Sequence, residues 1–383
     1  MLFKIVPLAV VLAGCTTSAV AWGAAGHEIA ATIAQIHLHP SVLPSMCTIL
    51  NFTSTNPNEP QCHLAPVATW ADKLRYKMRW SAALHYVGAV DDHPSQTCVF
   101  PGDRGWAGKE GGNVLSAIRN VTGILEDWVD YNKAGRASAR QYDAANEALK
   151  FLIHFMGDMH MPLHLTGRDR GGNSDKVLFS GRQTNLHSLW DGLLIAKALR
   201  SVPRKYSRPL PSPKIEHALR GTIYDSYVRM IMWEGVLGKW QPQVPEWLTC
   251  PAPARPLPSS SFSGLWQHVL AAWTRLAGAA DDTDDALICP HHWAAPIHAL
   301  NCAIVWPAAL DEPPYNSTRL AEGGPYLELD TPEYAGEIAR QWIVEKLLAQ
   351  AGIRLAGVLN YLFAEFEDAE EARLWTQGLR VDF

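Results

Sequence analysis

"FLIHFMGDMHMPLH", residues 151–164, places three histidines and an aspartate in fourteen positions and fills most gaps with apolar side chains. His154 and Asp158 are four apart, so on an α-helix they share one face, about a turn from each other. Pro162 lacks an N–H and disfavours helix at Met161, which predicts a helix ending near His160. His164 then falls in the exit turn, free to face a different partner from His154. His160 sits at another helical angle and is left out of the set, as an outer or surface residue. Downstream, "TNLHSLWD" repeats the pattern with His187 and Asp191, again at i and i+4, behind Asn185 as a helix cap. One apolar-flanked histidine would read as core. Five imidazole and carboxylate donors in this arrangement read as a metal site of the kind zinc favours.

More candidates lie upstream: Asp72 in "WADKLR", His85 in "ALHYV" and His27 in "WGAAGHEIA". The first residues, "MLFKIVPLAVVLAGCTTSAVA", carry Lys4, an apolar run and Ala19-Val20-Ala21, the pattern of a secretory signal at residues 1–21. The apolar run is too short to span a bilayer. "LAGC", ending at Cys15, offers a competing lipoprotein-like reading. Cleavage after Ala21 makes Trp22 the first residue of an exported chain. Its free amine, of pKa about 8, and its own carbonyl oxygen can chelate one ion in a five-membered ring.

The chain has 383 residues, 48% hydrophobic and 19% charged, which predicts a soluble globular protein. A formal charge of −5 argues against a broad basic surface for duplex phosphates, though not against a local basic pocket. Apolar spacing of three to four predicts helices over 26–37, 112–132, 139–160, 185–200, 214–236 and 332–363, the last loosened at Gly352. "DKVLFSGRQTN" (175–185) reads as a short hairpin turning at Ser180-Gly181. Residues 91–112 are read as irregular. "CPAPARPLPSSSFSG" (250–264) and "DDTDD" (281–285) are read as exposed loop. The expected architecture is mainly α: one helical domain over 22–383, with a Pro/Ser-rich and acidic loop insertion at about 250–290. Cys47, Cys62, Cys98, Cys250, Cys289 and Cys302 show no C-x-x-C spacing and, in an exported chain, predict three disulfides among fifteen connectivities. Sequons at Asn51, Asn120 and Asn316 are candidate glycosylation sites.

Taken in order, "WGAAGH", "WADKLR", "LHYV", "FLIHFMGDMHMPLH", "RGGN", "NLHSLWD" and "AGIRLAGVLNYLF" resemble the S1/P1 type of zinc-dependent, single-strand-specific nucleases along nearly the whole mature chain. The resemblance implies a helical fold of the phospholipase C/P1 nuclease type with a trinuclear zinc site. Asp72, His85, His154 and Asp158 would hold one ion. Trp22, His27 and Asp158 would hold a second, with Asp158 bridging. His164, His187 and Asp191 would hold a third. A water shared by the paired zincs would attack phosphorus in line, and the third zinc would steady the departing 3′ oxygen. By the same resemblance Arg75 would neutralise the transition state, Asn173 of "RGGN" would contact the phosphate region, and Tyr86 would stack on a base. The implied substrates are single-stranded DNA and RNA and 3′-mononucleotides, cut by a secreted monomer with no membrane partner. It also suggests Cys98 paired with Cys302, leaving Cys47–Cys62 and Cys250–Cys289 as the local pairs.

One departure stands out. The family commonly carries an aspartate two residues after the aromatic, to hold a base, and this chain has Gly88 there, with Asp91 and Asp92 nearby. Base preference is therefore in question. Zinc phospholipases C resemble the same fold, but end their ligand pattern in His-x-x-x-Glu, whereas this chain has His187-x-x-x-Asp191. A non-catalytic secreted zinc protein is a further alternative. A bridged pair plus an open third site would be an odd way to stabilise a disulfide-bonded fold.

Overall fold

The computed structural model describes residues 22–251, 284–285, 287–317 and 325–376. The signal segment and most of the 250–290 insertion lie outside the described residues. The first five described α-helices are α1 (Ala24–Ile36), α2 (Val42–Leu50), α3 (Trp70–Leu74), α4 (Val114–Lys133) and α5 (Ala139–Asp158), of which α1, α3 and α5 carry site residues. Helix α4 starts because the Asn113 side chain accepts hydrogen bonds from the Leu115 and Ser116 N–H groups. Helix α5 starts at a capping box, in which Ser138 and Gln141 bond each other's backbone N–H reciprocally. It ends at Asp158, because Pro162 forces the following backbone at Met161 into extended geometry.

Helix α5 is buried from Phe151 to Asp158 and packs against α4, α1 and the long helix Ile343–Phe363. Ile29, Ile33, Leu115, Leu152, Phe155, Leu348 and Leu359 belong to one continuous buried apolar cluster. Helix α1 crosses Ile343–Phe363 so closely that a Cβ at Gly352 would lie 2.6 Å from the Ile33 side chain and 2.7 Å from the Ala30 carbonyl. Gly352 therefore permits a crossing rather than loosening the helix, which runs through it unbroken. Asn360 ties the end of α1 to the same helix: it donates to the His37 carbonyl and accepts from His39 N–H.

Two expected helices are interrupted. The 214–236 segment breaks between Leu219 and Asp225, around Gly221 at φ +81°. The 332–363 segment breaks at Trp342, whose φ of +60° starts a new helix while its ring packs edge-on against Trp240. The apolar stripe continues across both breaks, so its period could not reveal them. The hairpin forms as read: β1 (Lys176–Phe179) pairs antiparallel with β2 (Arg182–Asn185). Ser180 and Gly181 turn at φ +52° and +70°, the two left-handed positions of a tight hairpin. A short strand β3 (Leu327–Glu328) adds to β1 in parallel.

Disulfides join Cys47 to Cys62, Cys98 to Cys302 and Cys250 to Cys289. Asn51, Asn120 and Asn316 are all exposed. Two acids expected to be solvated are half-buried instead. Asp284 accepts from the His291 and His292 N–H groups at the start of helix Pro290–Leu300, and Asp285 pairs with Arg119 at 2.7 Å.

Candidate metal centre

Nearly all the predicted ligands converge at the C-terminal end of α5. Donor atoms of His27, His154 and Asp158 lie within 4.8 Å of one another, as do those of Asp72, His85 and His154, and those of His164, His187 and Asp191. The Asp158 carboxylate sits between the groups. Its Oδ2 is 2.9 Å from His85 Nδ1 and 3.3 Å from His154 Nε2, and its Oδ1 is 3.5 Å from His27 Nε2 and 3.6 Å from His164 Nδ1. A glycine makes this possible. A Cβ at Gly157 would fall 2.4 Å from His27 Nδ1, so only glycine lets α1 bring His27 against α5, with its ring stacked on His154 at 4.0 Å.

Trp22 is buried, and the next amide, Gly23 N–H, donates to the Asp191 carbonyl at 2.7 Å. This bond fastens the backbone just after Trp22 to the π-helical turn Leu189–Leu193 that carries Asp191. Asn185 accepts from Ser188 N–H and starts the helical segment that presents His187 and Asp191 together, 3.1 Å apart.

Two observations test whether these residues suit a metal. First, three histidines have their Nδ1 fixed by a backbone carbonyl: His154 on Ala68 at 2.7 Å, His164 on His85 at 2.6 Å, His187 on Gly171 at 2.7 Å. With the proton held on Nδ1, Nε2 presents a lone pair to the site. Second, buried polar atoms in the site have no hydrogen-bond partner: both nitrogens of His27, Asp72 Oδ2, Asp158 Oδ1, His164 Nε2 and Asp191 Oδ1. Leaving such atoms unpaired costs about 1–3 kcal/mol each, and cations would satisfy them. The donor set fits divalent zinc.

The electrostatics agree. Burial would raise Asp158, but His154 and His164, with His27 close by and His85 within hydrogen-bond distance, hold its carboxylate well below the usual range. Burial pushes His154 far down, so it stays neutral, and lowers His164 too. Burial opposes the charged form of His85 and His187, but Asp158 and Asp191 outweigh it and raise them. Asp72 is pushed up to about 6 by burial, as expected of a carboxylate awaiting a counter-charge.

Asp72, His85, His164 and His187 border a cavity of about 510 Å³, lined also by Arg75, Tyr86, Arg170 and Asn173. Arg75 donates to the Tyr76 hydroxyl at 3.0 Å, Asn173 Nδ2 donates to the Arg170 carbonyl at 2.8 Å, and Tyr86 is half exposed. Arg170 was not anticipated. It sits in a run of four left-handed residues, Asp169, Arg170, Gly171 and Gly172, at φ +47° to +75°. Gly171 could not carry a side chain there, because a Cβ would lie 2.5 Å from the Leu163 carbonyl. Non-glycine residues in this region cost about 1–3 kcal/mol each, and such strain clusters at functional sites. Arg170 could have been found only by recognising that "RGGN" demands this turn.

His160 corrects an expectation. It is fully buried, donating Nδ1–H to the Met156 carbonyl at 2.6 Å while Nε2 accepts from Arg354 at 2.9 Å. Burial lowers Arg354 to about 9, still cationic at neutral pH. The pair braces the end of α5 from behind, outside the ligand groups. A further cluster, Asp92, Cys98 and His298, is no metal site: Cys98 is in a disulfide, and Asp92 is occupied by His298, Thr166 and Val99 N–H.

Neither nearby acid replaces the aspartate absent at 88. Asp92 is tied up as described, and Asp91 pairs with Arg104 at the surface. Gly88 itself is pressed against Gly167, where a Cβ would lie 2.6 Å from the backbone nitrogen and 2.8 Å from Cα. An aspartate cannot enter without moving backbone. Gly88→Asp is expected to destabilise by about 1–3 kcal/mol through overpacking, lowering the thermal midpoint without sharpening base selectivity. Unchanged stability with a new base preference would contradict this reading.

A helical frame that gathers histidines and carboxylates around one cavity defines a candidate polynuclear metal centre. Residues 22–364 match the S1/P1 Nuclease family, and the chain belongs to it; it is a hydrolase of phosphodiester bonds with the phospholipase C-like helical fold of that family. It is 32% identical over 233 residues to Endonuclease 2 of Arabidopsis thaliana, covering 60% of this chain and 69% of the relative. It is 27% identical over 342 residues to Nuclease P1 of Penicillium citrinum, covering 88% and 97%. It is 38% identical over 172 residues to Nuclease S1 of Aspergillus oryzae, covering 44% and 53%.

Proposed function

We propose that the mature chain, residues 22–383, is a single-domain, exported, zinc-dependent endonuclease. It cuts single-stranded DNA and RNA to 5′-nucleotides and removes phosphate from 3′-mononucleotides. The observation that carries this reading is the set of buried, unpartnered donors, two of which, Asp72 and His164, open onto a cavity that also holds arginines and an exposed tyrosine. Asp72, His85, His154 and Asp158 are assigned to one zinc. Trp22 (amino nitrogen and carbonyl oxygen), His27 and Asp158 are assigned to a second, and His164, His187 and Asp191 to a third. Bound zinc supplies Lewis-acid charge and a water that ionises near neutral pH.

The chain's own groups do the rest. Asp158 is held as an anion by its histidines, which suits it to bridging. The Arg75 guanidinium offers forked donors to a phosphoryl group as negative charge builds there. Asn173 braces the left-handed turn that carries Arg170 beside the same cavity. Tyr86 offers its ring to an unpaired base, which a duplex cannot present. With Gly88 lacking a carboxylate, base choice rests on stacking and is permissive. No helix among the described residues is long and apolar enough to cross a membrane, and the chain is assigned as a secreted monomer, glycosylated at Asn51, Asn120 and Asn316.

The test is cleavage of single-stranded DNA by the mature chain, with and without a zinc chelator. Release of 5′-phosphorylated products that stops on chelation and returns with zinc is expected. Hydrolysis of phospholipid with no cleavage of single strands would overturn the assignment.

A further inference from the structure

The segment joining two of the assigned ligands, Asp72 and His85, carries chemistry that the metal centre does not use. In a chain of net charge −5, Lys73, Arg75, Lys77 and Arg79 set four cations in seven residues with no acid among them. Lys77 and Arg79 are exposed. Between and beside them, Tyr76 is 67% and Trp80 61% exposed, and Tyr86 at the cavity is 51% exposed. Isolated exposed aromatics are ordinary on a protein surface. Three within eleven residues, two of them next to cations, are not.

Trp80 makes an edge-type ring contact with Phe151, at 5.6 Å and 64°, and stays 61% exposed. The strip is continuous with the cavity, since Arg75, Ala82 and Tyr86 line it. Single-strand grooves combine these elements: aromatic faces that stack on bases of any sequence, and cations that follow the backbone. Duplex DNA would gain only the charge term, because its base faces are already stacked.

We infer that residues 73–80 form an outer track that grips single-stranded nucleic acid beyond the nucleotide being cut. A base stacks on Trp80, phosphates lie against Lys77 and Arg79, and Tyr76 continues the surface back to Arg75. The inference rests on the nuclease reading above, and it predicts affinity that grows with strand length.

The test compares a thymidine dinucleotide with an oligothymidylate of about fifteen nucleotides, long enough to reach the track. The variants are Trp80→Ala, Trp80→Phe and the double change Lys77→Ala/Arg79→Ala. Tyr76 is left intact because its hydroxyl holds Arg75. Trp80→Ala is expected to raise KM for the long strand about tenfold, with the dinucleotide unaffected and Trp80→Phe restoring most of the loss. The double variant should reduce the slope of log KM against log salt by about 1.4 on the long strand, about 0.7 for each phosphate contact. Equal effects on both substrates, or none on either, would overturn the track. If the wild-type protein cuts neither substrate, anisotropy of the intact labelled long strand reads the track alone. Binding weakened about tenfold by Trp80→Ala then keeps the track while the nuclease reading fails, and unweakened binding removes both.

Discussion

Asp158→Asn should leave a folded protein that binds zinc poorly and cuts single strands more than about a hundredfold more slowly. That is a lower bound, because losing a group that merely supports a metal ligand already costs about 10–100-fold. The Asp158 carboxylate is within 3.6 Å of four histidines from three separate segments, and one of its oxygens has no hydrogen bond. Asparagine keeps the shape but loses the charge and one acceptor atom, so it can no longer serve ions on both sides. Zinc content, turnover and thermal midpoint of the metal-free protein together decide the matter. Turnover within a few-fold of wild type would mean that Asp158 does not bridge ions.

The second expectation concerns the amine that cleavage after Ala21 would free at Trp22. A protein carrying even one extra residue before Trp22 should lose the zinc assigned to Trp22 and His27, and with it activity by about a hundredfold or more. A free α-amine has a pKa of about 8 and readily gives up its proton to a metal, whereas an amide nitrogen does not. The structure leaves little slack for another solution. Trp22 is buried, a Cβ at Gly26 would be only 2.9 Å from its ring, and Gly23 is bonded to Asp191 at 2.7 Å. Chains starting at Trp22 and at an added residue, purified alike, give the comparison. Equal zinc content and turnover would show that the amine is not a ligand.

Much of the candidate site was legible because its donors repeat at helical intervals. His154 with Asp158, and His187 with Asp191, are i and i+4 pairs beside strong stop or start signals at Pro162 and Asn185. Long amphipathic helices such as α4 and α5 were legible for the same reason. What escaped is what period cannot carry. The stripe through Ile338, Trp342 and Leu347 is unbroken, so the turn at Trp342 left no trace in it. Helices α2 and α3 are too short to establish a period. Gly88 showed only a missing carboxylate. That Gly167 closes the space a side chain would need is a contact across 79 residues of sequence. His160 was read as lying outside the ligand set, but its fully buried partnership with Arg354 needed the packing of the last long helix to be seen.

The most direct measurement is the number and position of zinc ions in the mature protein, read from anomalous scattering at the zinc edge. The account predicts three ions: one beside Asp72 and His85, one beside Trp22 and His27, and one between His164, His187 and Asp191. A single ion, or none touching Asp158, would contradict it.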